Sequence, residues 1–174
     1  MSTRRALRRL NSLSPESAEA ELREVCGAPG WAAAVAAGRP FRDEAALAAA
    51  AEAAWDGLPR AAWIEGFAAH PRIGEASRRA GGEASAWSRA EQAGMAAAAE
   101  NARAALAAAQ REYGRRFGWP YIVCATGRSA AEMLADCRAR LANDPDRELD
   151  VAAGEERRIG RLRLEKLLTT EGQA

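Results

Sequence analysis

The chain has one histidine, three cysteines and 6% aromatic residues among its 174 positions, and Lys166 is its sole lysine. Each scarcity excludes something. A zinc site takes about three or four Cys, His or carboxylate ligands. One imidazole with three thiols far apart in sequence, Cys26, Cys124 and Cys137, gives no C-x-x-C pair and no even set. Neither a metal centre nor a disulfide framework is expected, and the thiols read as buried, reduced side chains of a cytosolic protein. Sparse aromatic and β-branched residues argue against an extensive sheet. No stretch approaches ~18 apolar residues free of charge, so no membrane span is expected. The N-terminus lacks the apolar run of a secretory signal, and the terminal Glu171-Gly172-Gln173-Ala174 matches neither a peroxisomal nor an endoplasmic-reticulum address. With 25 basic and 24 acidic residues the net charge is +1, which supplies no global field for nucleic acid. The local exception, Arg4, Arg5, Arg8 and Arg9, reads as a solvated helix edge or tail.

What is abundant is alanine, within a 48% apolar content, and that composition favours helices. Ser14 and Pro15 stand as cap and first position of a helix whose apolar stripe is Leu22, Val25 and Cys26. A short helix follows over 31–37, a turn at 38–41, and Asp43 caps an alanine-rich helix running to about Trp55. Another covers 60–68. From His70 to Trp87, Pro71, Gly74 and the Gly81-Gly82 pair interrupt any helix, so a loop of roughly eighteen residues is expected. The longest helix runs from Ser88 to Phe117. The segment 119–126 is a strand or an extended stretch without an obvious partner. Ser129 and Glu132 form a capping box for a helix to about Leu141, and a last helix covers 147–168. The expected fold is all-α: a single domain, 1–174, of about seven to nine helices.

Three places can carry chemistry. His70 precedes a proline, which drives it out of helical geometry at the end of its helix. It is either an aimed acid/base group or a helix C-terminal histidine stabilised by the dipole. Ser88, Glu91 and Gln92 share one face of a helical first turn. They are either a capping box or a polar site beside the helix N-terminus. In the last helix Leu162, Leu164, Leu167 and Leu168 supply the buried stripe. Arg163, set between two leucines, is either a partly buried partner for a carboxylate or a solvated, salt-bridged arginine.

The segments FAAHPRIGE, WSRAEQAGM, EYGRRFGWPYIVCATGRS and RIGRLRL, in this order, resemble the OHCU decarboxylase family. LNSLS at 10–14, VCGAPGWA at 25–32 and GRPF at 38–41 extend the resemblance over nearly the whole chain. It implies a cofactor-free helical enzyme, a homodimer, acting on a small molecule, 2-oxo-4-hydroxy-4-carboxy-5-ureidoimidazoline, and forming (S)-allantoin in urate degradation. It implies functional coupling to urate oxidase and hydroxyisourate hydrolase, with no nucleic acid and no membrane involved. The family's catalytic histidine and glutamate fall on His70 and Glu91, with Pro71, Ser88 and Gln92 as substrate contacts. Its binding segment falls on Ile122, Val123, Cys124, Ala125 and Thr126. Its last-helix arginine falls on Arg163, with Arg161 two residues away as the alternative. A free-standing cytoplasmic enzyme without metal is the expectation. A relative with a drifted ureido-acid substrate and a non-catalytic helical binding domain are the alternatives.

Overall fold

The computed structural model describes residues 2–70, Ile73 and 89–170, with 89–99 given as helix backbone alone. Eight helices occur among the described residues: α1 Ser2–Ser12, α2 Pro15–Val25, α3 Trp31–Ala37, α4 Glu44–Asp56, α5 Arg60–Ala68, α6 Arg89–Phe117, α7 Ala130–Arg140 and α8 Pro145–Thr170. No described residue is in a strand, so the all-α expectation holds. The backbone gathers into two units, 1–69 with 153–174, and 70–152.

In the first unit local sequence rules account for most helix ends. Ser14 Oγ accepts from Ser17 N–H, with Pro15 at the first position of α2, and Asp43 accepts from Ala46 N–H at the start of α4. Gly30 takes φ 82° immediately before α3, the left-handed region that glycine enters without steric cost. Buried Leu10, Leu22, Val35, Leu47 and Phe67 form the interior of this unit.

The N-terminal run is not a tail. It forms α1, which buries Ala6, Leu7 and Leu10, and Arg9 holds the Glu21 carboxylate through both terminal nitrogens at 2.6 and 2.5 Å. Two long-range polar clamps join α1 to the turn after α3. Asn11 donates to Phe41 C=O at 2.8 Å and accepts from Phe41 N–H at 2.9 Å. Arg39 donates to the carbonyls of Leu10 and Leu13 at 2.7 and 2.9 Å and of Ala36 at 3.0 Å. The Leu10 and Leu13 carbonyls lie at and just beyond the end of α1, where helical donors run out. LNSLS and GRPF are therefore two halves of one clamp.

In the second unit α6 packs mainly on α7. Leu106, Ala109, Tyr113, Phe117, Tyr121, Val123, Met133 and Cys137 make its core. The segment 120–125 has no regular secondary structure, with a bend before it and a turn from Thr126, and it pairs in no ladder among the described residues. The Ser129/Glu132 capping box is present in both directions. α8 begins two residues before the expected Arg147. Pro145 opens it, and Asp144 accepts from Asp146 N–H at 2.9 Å in the manner of an N-cap.

Candidate active site

α5 ends at Ala68, and His70 sits half-buried on a bend just beyond it. Two close backbone approaches fix this exit. A Cβ on Gly27 would stand 2.7 Å from the Ala69 methyl, and one on Gly66 would stand 2.9 Å from the Ala28 methyl. Real Cβ atoms do not come that close, so the segment 27–28 can lie against the end of α5 only because both positions are glycine. Gly27→Ala is expected to overpack this junction, cost about 1–3 kcal/mol and lower activity beyond that by displacing Ala69 and its neighbour His70. Urea unfolding and an activity assay on the same preparation check both effects.

The same segment receives the last-helix arginine. Arg163 is half-buried and donates from Nη1 to the Val25 carbonyl at 3.0 Å. That acceptor is a backbone oxygen, where the sequence had left open a carboxylate partner or a solvated, salt-bridged arginine. Arg161 is exposed and paired with Glu52. VCGAPG thus stands between Arg163 and the end of α5, in contact with both. Burial pushes the Cys26 thiol in this segment up to about 11, against a hydrogen bond from the Ala28 backbone that lowers it. A neutral thiol is the result, with no nucleophile at neutral pH.

On the far side of the His-Pro-x-Ile motif, Ile73 is gripped by a side chain that sequence reasoning missed. Gln110 of α6 accepts from Ile73 N–H at 3.0 Å and donates to Ile73 C=O at 3.1 Å. It is 4% exposed, and burial of an amide on a helix otherwise rich in alanine and charge left no periodic signal. Pro71 and Ser88 lie outside the described residues, as do the side chains of Glu91 and Gln92 and the loop read over 70–87 apart from His70 and Ile73.

The segment Ile122–Thr126 is well defined. Ile122 and Val123 are buried, Cys124 is half-buried, and Ala125 and Thr126 are exposed. Behind it lies a polar network. Arg140, 6% exposed, donates from Nη1 to Ile122 C=O at 2.8 Å and from Nε to Glu148 at 2.7 Å. Glu148 is fully buried; it accepts also from the Tyr113 hydroxyl and, at 2.7 Å, from Asn143. The Tyr113 hydroxyl accepts from Trp119 Nε1 at 3.3 Å. The Tyr121 hydroxyl donates to Asp136 at 2.5 Å. Burial raises the Tyr113 hydroxyl and the neighbouring Glu148 carboxylate raises it further. Burial likewise raises Tyr121, followed by its bond to Asp136. Burial alone would lower Arg140, but its bond to Glu148 and the surrounding negative groups outweigh that and keep it protonated. Neither tyrosine ionises near neutral pH, and Arg140 keeps its charge there. The network is a fixed support with no group that titrates in the working range among these three.

The first unit also contains a cavity of about 290 Å³ between α4 and the later turns of α8, walled by Trp31, Leu47, Ala51, Trp55, Leu164 and Leu168. It contains none of His70, Arg163 or Ile122–Thr126. Its rim cations Arg157 and Arg161 are paired with Asp56 and Glu52, and Glu44, Glu156 and Glu165 also line it. Among the described residues no group of His, Cys, Asp and Glu could hold a metal ion, and no helix is long and apolar enough to cross a membrane.

The OHCU decarboxylase family model matches residues 11–165. The chain belongs to the OHCU decarboxylase family. It is 34% identical over 170 residues to the 2-oxo-4-hydroxy-4-carboxy-5-ureidoimidazoline decarboxylase of Amia calva, covering 93% of this chain and 94% of that protein. It is 31% identical over 163 residues to the uric acid degradation bifunctional protein TTL of Arabidopsis thaliana, covering 92% of this chain and half of that protein. Among solved structures, an OHCU decarboxylase crystallised in the presence of (S)-allantoin matches with TM-score 0.66 and 31% identity, over 85% of this chain and 96% of that one. An (S)-allantoin synthase shares the fold at TM-score 0.64 and 18% identity, over 92% of this chain and 53% of that one. The family match covers both units, from Asn11 of the clamp to the turn of α8 beyond Arg163.

Proposed function

We propose that this family member decarboxylates 2-oxo-4-hydroxy-4-carboxy-5-ureidoimidazoline to (S)-allantoin, with His70 as general acid/base. The observation that carries the reading is the family match over 11–165, which includes His70, Glu91, Ile122–Thr126 and Arg163. Two features of the structure support it: a half-buried imidazole leaves a helix end held by two obligatory glycines, and the backbone of the segment 122–126 is braced by Arg140.

The substrate chemistry needs little more. The carboxylated ring carbon adjoins a ring C=N. When the C–C bond to the carboxylate breaks, its electron pair forms a C=C and the former C=N pair goes to nitrogen, which takes a proton. The resulting enol loses its hydroxyl proton as the ureido-bearing carbon gains one, giving the ring carbonyl of allantoin. The substrate carries its own electron sink, so the work left to the protein is orientation and proton movement. His70 handles the hydroxyl proton. In this reading Glu91 holds ring or ureido N–H groups, Ser88, Gln92 and Pro71 are further substrate contacts, and backbone groups of Ile122, Val123, Cys124, Ala125 and Thr126 meet the ureido and ring amides. Arg163 steadies the carboxylate side, and its bond to Val25 ties that side to the end of α5. One cytoplasmic domain acting as a homodimer, after urate oxidase and hydroxyisourate hydrolase, completes the reading.

The test generates the intermediate in place from urate with those two enzymes. Its decay is followed by absorbance and the product by circular dichroism. Faster decay with an S product is expected. Unchanged decay with racemic product from folded protein would overturn the reading and direct attention to related ureido acids. Glu91→Gln separates site from cap. Glutamine serves a capping box as well as glutamate, so a wild-type rate would remove Glu91 from the chemistry, and a loss of about 10²-fold or more is expected.

A further inference from the structure

We propose that Arg140, backed by Glu148 and Tyr113, is a positioning residue that sets where the backbone of 122–126 meets the substrate. The proposal rests on the reading of that segment as substrate-binding. Ile122 and Val123 are 2% and 5% exposed, so the segment is anchored in the core at these two positions and leaves it only beyond them. The segment lies outside any helix and has no ladder among the described residues to fix its place. Side chains do so instead. Arg140 Nη1 holds the Ile122 carbonyl at 2.8 Å, and one residue earlier Tyr121 is held by Asp136 at 2.5 Å and by Met133 C=O at 3.3 Å.

Arg140 is itself immobilised. Its Nε and Nη2 both lie against Glu148 Oε1, at 2.7 and 2.5 Å. Nη2 also reaches the Tyr113 hydroxyl at 3.3 Å, and the guanidinium lies over the Tyr121 ring at 4.9 Å. A planar fork engaged on several edges cannot slide, whereas an ammonium on a flexible stem can. The exposed part of the segment, Ala125 and Thr126, begins three residues beyond the pinned carbonyl. An error at Ile122 therefore moves the very groups that leave the core. Misplacement of about 1 Å costs on the order of 10²-fold in well-oriented reactions. The loss should fall on binding and on the face of protonation more than on the proton transfer itself.

The experiment compares full-length wild type, Arg140→Lys and Tyr113→Phe in the coupled urate assay, with Leu10→Ala as a control for stability lost in α1. Arg140→Lys should stay helical, raise KM about 10-fold with kcat within about threefold, and lower the excess of S over R allantoin. Tyr113→Phe should move both in the same direction by less, and Leu10→Ala should leave both unmoved. A folded Arg140→Lys with wild-type KM and S excess would overturn the positioning role, as would an equal KM change in Leu10→Ala. If Arg140→Lys does not fold, Tyr113→Phe decides by the same two readouts. Wild type that fails to accelerate decay would refute the decarboxylase reading and this inference with it. An active wild type with unaffected variants refutes the positioning alone.

Discussion

His70→Asn will lower turnover by about 10²–10⁴-fold, the usual worth of a positioned acid/base, while helix content and unfolding midpoint stay near wild type. Two readings of this histidine were open in the sequence, and they predict different losses. A helix C-terminal imidazole stabilised by the dipole contributes about 0.3–1 kcal/mol and nothing to rate. A catalytic imidazole contributes rate and little stability. The structure bears on the choice through what holds the helix end. α5 is fixed by Phe67 in the core and by the Gly27 and Gly66 contacts, and Ile73 beyond it is fixed by Gln110. Anchors therefore stand on both sides of His70 along the chain. Asparagine keeps part of the imidazole's hydrogen-bonding capacity but cannot exchange a proton near neutral pH. The coupled assay and a urea titration of the same variant separate the outcomes. A variant that unfolds with its activity would return His70 to a structural role.

How much could be read without coordinates divides along physical lines. Helix starts at Ser14-Pro15, Asp43 and Ser129 were legible because a cap is a local event, complete within four residues. The short helix 31–37 and the helix 60–68 also match the structure, although neither carries a side-chain cap. The clamps were not legible. Asn11 and Phe41 are thirty residues apart, and Arg39 reaches back to Leu10 over twenty-nine; no periodicity encodes such a pairing. The basic run read as a solvated helix edge or tail is a helix edge, with Arg4, Arg5 and Arg8 exposed on α1; only the pairing of Arg9 with Glu21 was not legible. Arg163 shows the limit from the other side. Its place between leucines correctly foretold partial burial, but its acceptor is a main-chain oxygen of Val25, and every residue in the chain offers one. For the site, the motif order pointed to His70 and to 122–126, while Gln110 and Arg140, which brace those segments, look like ordinary surface polar residues of amphipathic helices.

Glu148 illustrates that last point with the second large effect. In sequence it is one more acid in the first turn of a helix, well suited to the positive end of the dipole. In the structure it is 0% exposed and takes bonds from Arg140, Tyr113 and Asn143. Glu148→Ala leaves a guanidinium that is 6% exposed with only the longer carboxylate contact, to Asp136 at 3.5 Å, and two further donors without their acceptor. Breaking one side of a buried pair costs about 3–5 kcal/mol, far more than an exposed pair contributes. In a chain of this size that is a fall in midpoint on the order of 10 °C. Arg9→Ala provides the contrast: Arg9 is half-exposed where it meets Glu21, and its loss should cost about 1 kcal/mol or less. Urea unfolding of the two variants, with m-values checked for equality, measures the difference. Equal losses would mean that solvent reaches Arg140, and the brace behind Ile122 would then be far softer than its hydrogen bonds imply.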